Sequence, residues 1–161
     1  MKKFLQKKIL IPFFILLLAL GYYLVLPAFI VVEKNQEISF ETSENPKSKD
    51  PTEKNIQSQP EILSQNDFQK AAYEVKGQAL ILQQDNQRIL RFENFETING
   101  PSLNIYLVNS KNKDIYHDLG PIKATKGNVN YQIPESLDLN QYDQVQVYCV
   151  PFKKVFSYAN L

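Results

Sequence analysis

One stretch of the sequence indicates the fold class most directly: NGPSLNIYLV, residues 99–108. Asn99 and Gly100 accept the positive φ angles of a tight turn, and Pro101 cannot continue a hydrogen-bonded ladder. Residues 103–108 then alternate along the chain, as expected for a strand with one face buried. The stretch therefore predicts a turn followed by a half-buried β-strand.

Short strand-like segments separated by turn residues also occur on both sides of this stretch. Further strands are predicted at residues 74–82, 88–92, 115–119, 128–133, 144–150 and 154–158. Residues 67–72 are expected to form either a short helix or an extended lead-in. About seven or eight strands at a spacing near ten residues are typical of an antiparallel β-sandwich. We therefore predict an all-β domain over residues 67–161, an antiparallel β-sandwich of about 7–8 strands.

The N-terminal part of the chain has a different character. Residues 9–32 form a run of 24 residues without a charge. As a helix this run spans about 36 Å, enough to cross a hydrocarbon core of about 30 Å. Four lysines precede it, and Glu33, Glu37 and Glu41 follow it. The positive-inside rule then predicts a cytoplasmic basic N-terminus (1–8), a single-pass transmembrane helix (9–32) and a periplasmic or extracellular C-terminal part.

A cleaved signal peptide is the alternative for this segment. Signal peptides have an apolar core of roughly 7–15 residues that ends at a small-residue cleavage site. The run here is longer, and Pro27-Ala28-Phe29-Ile30 is a poor match to such a site. We therefore expect a retained signal-anchor that holds the protein in the cell membrane, with the lipid bilayer as a partner of residues 9–32.

Residues 33–66 are polar and contain three prolines, seven acids and four lysines, a net charge of −3. Such a composition buries too little apolar surface to offset the entropy of ordering, so we predict a flexible linker. A coil of this length has its ends on the order of 30 Å apart. The following domain, 67–161, has ten acids and ten bases. A neutral domain without clustered lysines and arginines is not expected to bind nucleic acid.

The chain has a single cysteine, Cys149, in the strand QVQVYC, residues 144–149. Two interpretations are open. Cys149 shares a strand face with Val145 and Val147, which favours a buried thiol that packs in the core. The other is thiol chemistry: oxidation, a mixed disulfide with another molecule, or one-electron chemistry with the nearby Tyr148 or Tyr106. An intramolecular disulfide is excluded because no second cysteine exists.

The other chemistry-bearing residues predict neither a metal site nor a resident cofactor. One histidine, His117, and one cysteine cannot supply a blue-copper centre, and C-x-x-C-H for covalent haem is absent. His117 and Asp118 are adjacent in a predicted strand and should point to opposite faces, so we expect a solvent-exposed histidine. Asp138, Asn140 and Asp143 match no calcium-loop spacing and are expected to form a solvated turn. No motif indicates an enzyme.

Several segments together resemble the DM13 domain family. They are LRFENFETINGPSLNIYL (90–107), DLGPIK (118–123), GNVNYQIP (127–134), the strand positions Tyr142, Val145, Cys149 and Phe152, and FSYANL (156–161). The resemblance covers about residue 68 to the last residue. It implies an extracellular β-sandwich with a near-invariant cysteine proposed to act in electron transfer or redox signalling. That cysteine corresponds to Cys149.

The sequence leaves three functions open. The first is a membrane-tethered extracytoplasmic accessory or interaction module with a thiol-redox role at Cys149, acting beside a membrane or envelope protein. The second is an electron-transfer protein that passes electrons to a membrane redox partner. The third is a binding module for an envelope carbohydrate or a small apolar ligand.

Overall fold

The computed structural model describes residues 11–23, 30–40 and 59–161. Residues 11–23 are helical. Ten strands follow: β1 (Glu33–Asn35), β2 (Glu61–Asp67), β3 (Gln69–Lys70), β4 (Val75–Gln84), β5 (Gln87–Thr97), β6 (Leu103–Val108), β7 (Tyr116–Pro121), β8 (Lys126–Ile133), β9 (Gln144–Cys149) and β10 (Lys154–Asn160). A single 3-10 turn, Leu139–Gln141, precedes β9.

The strands form two five-stranded sheets. The first has the order β1-β8-β5-β4-β2 and the second the order β3-β10-β9-β6-β7. All pairings are antiparallel except that of β1 with β8, which is parallel. The predicted all-β class and the mostly antiparallel sheets are confirmed. The described residues form ten strands rather than seven or eight, because β1, β2 and β3 form from residues that were not assigned to strands.

The inward faces of both sheets meet in one core. Its largest fully buried side chains include Phe92, Phe95 and Tyr131 from the first sheet and Ile105 and Leu107 from the second. Phe68, at the point where the chain passes from β2 to β3, packs edge-on against Phe92 with 4.8 Å between ring centroids. Burial of these core side chains stabilises the fold by roughly 25 cal/mol per Å² of apolar surface removed from water.

The first sheet also has apolar side chains on its outer face. Leu80 and Leu82 of β4 and Ile89 of β5 form a second buried cluster, and Phe40 packs against it. Alternation along β4 places Ala79 and Ile81 in the core and the two leucines outside. The segment 30–40 therefore covers part of this outer face.

Here the structure differs from the expected linker. Residues 33–35 form β1, and residues 61–66 belong to β2, so both ends of the segment 33–66 are part of the first sheet. The backbone N–H and C=O groups of the polar residues Glu33–Asn35 form hydrogen bonds with β8. This short strand therefore forms without apolar side chains of its own. Residues 41–58 of this segment lie outside the described residues, as do 1–8 and residues 9–10 and 24–29 of the predicted membrane helix 9–32.

Residues 11–23 and 30–32 are the described parts of the expected membrane helix 9–32; residues 11–23 are helical, whereas 30–32 are not, because Val32 bonds Thr125 of the domain. In the ranges that the structure describes, no helix is both long enough and apolar enough to cross a membrane. Residues 67–72, expected as a helix or a lead-in, instead contain the end of β2 and the short strand β3.

Gly127 permits the close approach of β1 to β8. Its φ is +109°, and an added Cβ would collide with the carbonyl oxygen of Lys34. Glycine adopts this backbone conformation without steric cost. The parallel strand β1 consequently depends on the absence of a side chain at position 127.

Candidate functional site

Cys149 is the last residue of β9 and lies in the core. Its side chain is 0% exposed, and it belongs to the same buried cluster as Val145 and Val147. Its backbone neighbours are Leu103 of β6 and Lys154 of β10. Cys149 therefore lies on the core-facing side of β9 together with Val145 and Val147, as predicted from the alternation.

The thiol of Cys149 donates a hydrogen bond to the carbonyl oxygen of Pro101, with 3.2 Å between sulfur and oxygen. Pro101 belongs to the turn that precedes β6. The side chains of Lys153 and Lys154, close in sequence, are exposed. A reactive thiolate requires access and a cationic or hydrogen-bond-donating neighbour, whereas this sulfur has a neutral acceptor as its partner. The geometry is that of a thiol packed in the core.

The next side chain back along β9, Tyr148, points to the outer face of the second sheet. Its ring stacks on that of Tyr106, with 5.1 Å between centroids and 24° between planes. Tyr106 in turn contacts Tyr116, with 5.2 Å between centroids and 30° between planes. We call Tyr148, Tyr106 and Tyr116 the tyrosine row.

The row arises from the register of three strands. Tyr106 pairs with Gln146 of β9, so Tyr148 is its diagonal neighbour. On the other side Tyr106 pairs with Asp118 of β7, and Tyr116 is again diagonal. Diagonal residues on one face of a sheet are within reach of aromatic side chains. Sequence analysis identified Tyr148 and Tyr106 but missed Tyr116, because the alternation within a strand does not reveal its register with a neighbouring strand.

Polar groups surround the row. Burial, the Asp118 carboxylate and the two neighbouring tyrosines raise the pKa of Tyr106, in that order of importance. Asp118 accepts a hydrogen bond from the Asn104 side-chain amide at 2.8 Å. At neutral pH the Tyr106 phenol is therefore protonated, since a free tyrosine already titrates near pH 10.

The other predicted polar positions have structural roles. His117 is half-buried opposite Leu107 rather than fully exposed, and it lies on the sheet face opposite to Asp118. Asp138 accepts hydrogen bonds at the start of the 3-10 turn, from the Asn140 backbone N–H and side chain. Asp143 accepts from the backbone and the hydroxyl of Ser110, each at 2.6 Å. These hydrogen bonds lower the pKa of both carboxyl groups.

A shallow, polar depression of about 400 Å³ lies near the turn between β4 and β5. Arg88 borders it, and its guanidinium donates to three backbone carbonyls, those of Pro134, Glu135 and Leu137. The guanidinium is thus engaged within the fold. The residues that line the depression are Gln83, Asp85, Asn86, Arg88, Glu135, Ser136, Leu137 and Asp138.

Within the three described ranges, no group of three or more His, Cys, Asp or Glu side chains is arranged to hold a metal ion.

Comparison with known families gives a direct assignment. The family described as electron transfer DM13 matches residues 67–161, which is more than half of the chain. The chain belongs to the DM13 family. The resemblance stated from sequence motifs is therefore confirmed. Comparisons with curated proteins and with solved structures give no match. Within this DM13 domain, the cysteine is buried and the tyrosine row lies on the outer face of the same sheet.

Proposed function

We propose that this DM13 protein is a membrane-tethered, extracytoplasmic accessory module that passes single electrons between partners through the tyrosine row. The electron-transfer description of the family supports the reaction class. The uncharged run 9–32 with lysines before it supports the tether. The observation that carries the proposal is the stacking of Tyr106 between Tyr148 and Tyr116 at centroid distances of 5.1 and 5.2 Å.

The reaction begins at the exposed end of the row. Tyr116 is 54% exposed and lies on the edge strand β7. A partner one-electron oxidant, such as an oxidised haem or metal centre, takes one electron from the Tyr116 phenol. The O–H bond breaks, and its proton passes to water. The result is a neutral tyrosyl radical at Tyr116.

The radical then moves along the row. One electron and one proton from the Tyr106 phenol, the proton travelling through solvent, restore Tyr116 and leave the radical on Tyr106. The same step transfers it to Tyr148. A one-electron reductant and a proton from water restore Tyr148, so the net result is one electron from reductant to oxidant. The raised pKa of Tyr106 keeps its phenol protonated, so its proton must leave with the electron.

Thiol–disulfide exchange fits the geometry less well than electron transfer. Exchange requires a sulfur atom to approach another sulfur in direct contact. The Cys149 sulfur is fully buried and hydrogen-bonded to Pro101. Electron transfer between stacked rings requires no such contact with a buried atom.

A thiol-redox role at Cys149 is the second candidate, and one observation favours it. β9 ends at Cys149, and the next residue, Val150, is 40% exposed in the turn to β10. Strand ends open locally at lower cost than strand centres. Opening of the turn 150–153 would bring the sulfur to solvent and allow oxidation or a mixed disulfide.

The tyrosine row is tested by photo-oxidation of the full-length protein. A photosensitiser with a sacrificial electron acceptor supplies the oxidant, and electron paramagnetic resonance measures the tyrosyl radical. Tyr106→Phe should reduce the radical that reaches Tyr148 several-fold. Tyr158→Phe is the matched control, because Tyr158 is half-buried on the same sheet but its hydroxyl bonds Gln69 outside the row. Equal losses in the two variants would rule out the row as the path.

The thiol candidate is tested by reaction with a thiol reagent before and after denaturation. Fast reaction of the native protein supports a redox role at Cys149. Reaction only after unfolding leaves Cys149 as a packing residue and does not affect the tyrosine proposal. The two candidates are therefore separable in one protein preparation.

A further inference from the structure

The two ends of the sandwich differ in a way that electron transfer does not explain. Loops 71–74, 98–102, 122–125 and 150–153 lie at the end where the segment 30–32 joins the domain, and we call this the basic end. Hydrogen bonds connect loop 122–125 to the segment 30–32 and to the end of β5. Thr125 donates its backbone N–H to the Val32 carbonyl at 2.8 Å, and Thr97 donates to the Thr125 carbonyl at 2.9 Å. Loops 85–86, 109–115 and 134–143 form the acidic end.

Exposed apolar side chains in loops lie at the basic end, whereas the exposed strand residues Ile62, Leu63 and Tyr116 lie nearer the acidic end. Tyr73, Ile98, Val150 and Phe152 are 40%, 42%, 40% and 62% exposed. No other large apolar residue in a loop of residues 67–161 is exposed. The four residues come from three different loops. The loops of the acidic end contain none. Scattered exposed apolar residues are normal, but their collection at one end of a domain indicates an interaction surface.

Charged residues are also distributed unequally between the two ends of the sandwich. The loops of the acidic end carry five acids (Asp85, Asp114, Glu135, Asp138, Asp143) and two lysines (Lys111, Lys113). The loops of the basic end carry one acid, Glu74, and it pairs with Lys70. Glu96 and Glu33 next to these loops pair with Lys76 and Lys126. Lys34, Lys153 and Lys154 remain at this end without a carboxylate partner among the described residues, whereas the Lys123 ammonium donates to the Asn130 carbonyl.

The chain path gives the third observation. The uncharged run ends at Val32, and β1 begins at Glu33. Val32 is held to Thr125 at the basic end, and Ile30, Val31 and Val32 are all exposed there. Val32, the last residue of the run, is thus bonded directly to the folded domain. Where the run is anchored in a bilayer, the basic end faces that bilayer.

We infer that the basic end docks on the surface of an anionic phospholipid bilayer. Phe152 and Val150 enter the interface, and Lys153 and Lys154 lie over the lipid phosphates. A bilayer fits better than a protein partner because apolar loop tips flanked by unpaired lysines match a surface that is apolar below and negative above. This inference rests on the membrane tether proposed above. It leaves the tyrosine row, on the side of the sandwich, open to a soluble or membrane partner.

The test uses the full-length protein in vesicles that contain lipids with a nitroxide on the head group. A fluorophore is attached at Phe152→Cys and, in a second protein, at Ser136→Cys in the acidic end. Brief labelling under native conditions spares the buried Cys149, and peptide mass spectrometry verifies the labelled residue. Phosphatidylcholine vesicles are compared with vesicles that also contain phosphatidylglycerol.

We expect quenching several-fold stronger at position 152 than at position 136, and stronger with phosphatidylglycerol. Lys153→Glu with Lys154→Glu should lower the docked population sharply, since each lysine near an anionic surface contributes about fivefold. Equal quenching at both positions in protein that floats with the vesicles overturns the docking surface while the tether stands. Quenching that does not depend on phosphatidylglycerol overturns the part played by the lysines. Protein that does not float with vesicles overturns the tether itself.

Discussion

Val32 and Thr125 are joined by hydrogen bonds in both directions. The Val32 N–H donates to the Thr125 hydroxyl at 2.9 Å, and the Thr125 N–H donates to the Val32 carbonyl at 2.8 Å. The two residues are 93 positions apart in the sequence. This pair fixes the start of β1 to the start of β8 and thereby sets which end of the sandwich the N-terminal segment leaves.

The first prediction concerns this pair. Thr125→Val should destabilise the protein by about 1–2 kcal/mol, because the Val32 N–H loses its acceptor and the Val32 carbonyl faces a methyl group in place of the hydroxyl. Thr125 is 2% exposed, so water has little access to replace the hydroxyl. Hydrogen exchange at residues 32–36 should accelerate in the same variant. Thr97→Val is the control, since the Thr97 hydroxyl makes only a long contact of 3.5 Å, and it should change stability by less than about 0.5 kcal/mol.

The second prediction concerns Arg91, which is buried on the outer face of the first sheet beneath residues 36–37. Its guanidinium donates to the Gln36 carbonyl at 2.9 Å, to the Asn130 side chain at 2.9 Å and to Glu93 at 2.7 Å. Arg91→Met should cost about 2–4 kcal/mol in urea unfolding, because it leaves these acceptors unpaired.

Lys76→Met is the control for Arg91. Lys76 also forms an ion pair, with Glu96, but both side chains are largely exposed, so the loss should be within about 0.5 kcal/mol. A loss at Arg91 no larger than that at Lys76 would mean that the segment 36–37 does not shield the guanidinium from water.

The third prediction separates steric clash from backbone conformation at two glycines. Gly127→Ala and Gly120→Ala both place alanine at positive φ, +109° and +98°. Only at position 127 does the added Cβ meet another group, the Lys34 carbonyl, whereas Gly120 has open space. We expect Gly120→Ala to cost about 1 kcal/mol and Gly127→Ala clearly more. Gly127→Ala should also remove hydrogen-exchange protection in β1 alone. Similar losses in the free energy of unfolding for the two variants would argue against close packing of β1 on β8.

The fourth prediction is a pH dependence at Asp143. The Ser110 hydroxyl and then the Ser110 backbone N–H hold the pKa of Asp143 below its ordinary value. A carboxyl group with a lowered folded-state pKa contributes stability above the unfolded-state pKa, near 4, and this is lost as pH falls through the folded-state value. Asp143→Asn should therefore flatten the fall in melting temperature below about pH 4. Asp114→Asn, which removes a carboxylate from the loop that contains Ser110 but does not touch the Ser110–Asp143 hydrogen bonds, is the matched control.

Much of the fold followed from local patterns. The turn at Asn99-Gly100-Pro101, the alternation in residues 103–108 and 144–149, and the motifs of the DM13 family together predicted an all-β domain over 67–161 and a core-facing Cys149. Strands β1, β2 and β3 were missed. Their sequences are mostly polar, and each forms by pairing with another segment of the chain: β1 with β8, β2 with β4 and β3 with β10.

The sequence by itself determined the domain class, the family, the uncharged N-terminal run and the strand face on which Cys149 lies. These depend on period, composition and short motifs, which are local properties of the chain. Tertiary structure alone decided that Tyr116 joins Tyr106 and Tyr148 and that the Pro101 carbonyl accepts from the thiol. It also decided that the unpaired lysines and exposed apolar loops gather at one end. Each of these depends on strand register and on which loops share an end of the sandwich, and both are set by pairing between distant segments.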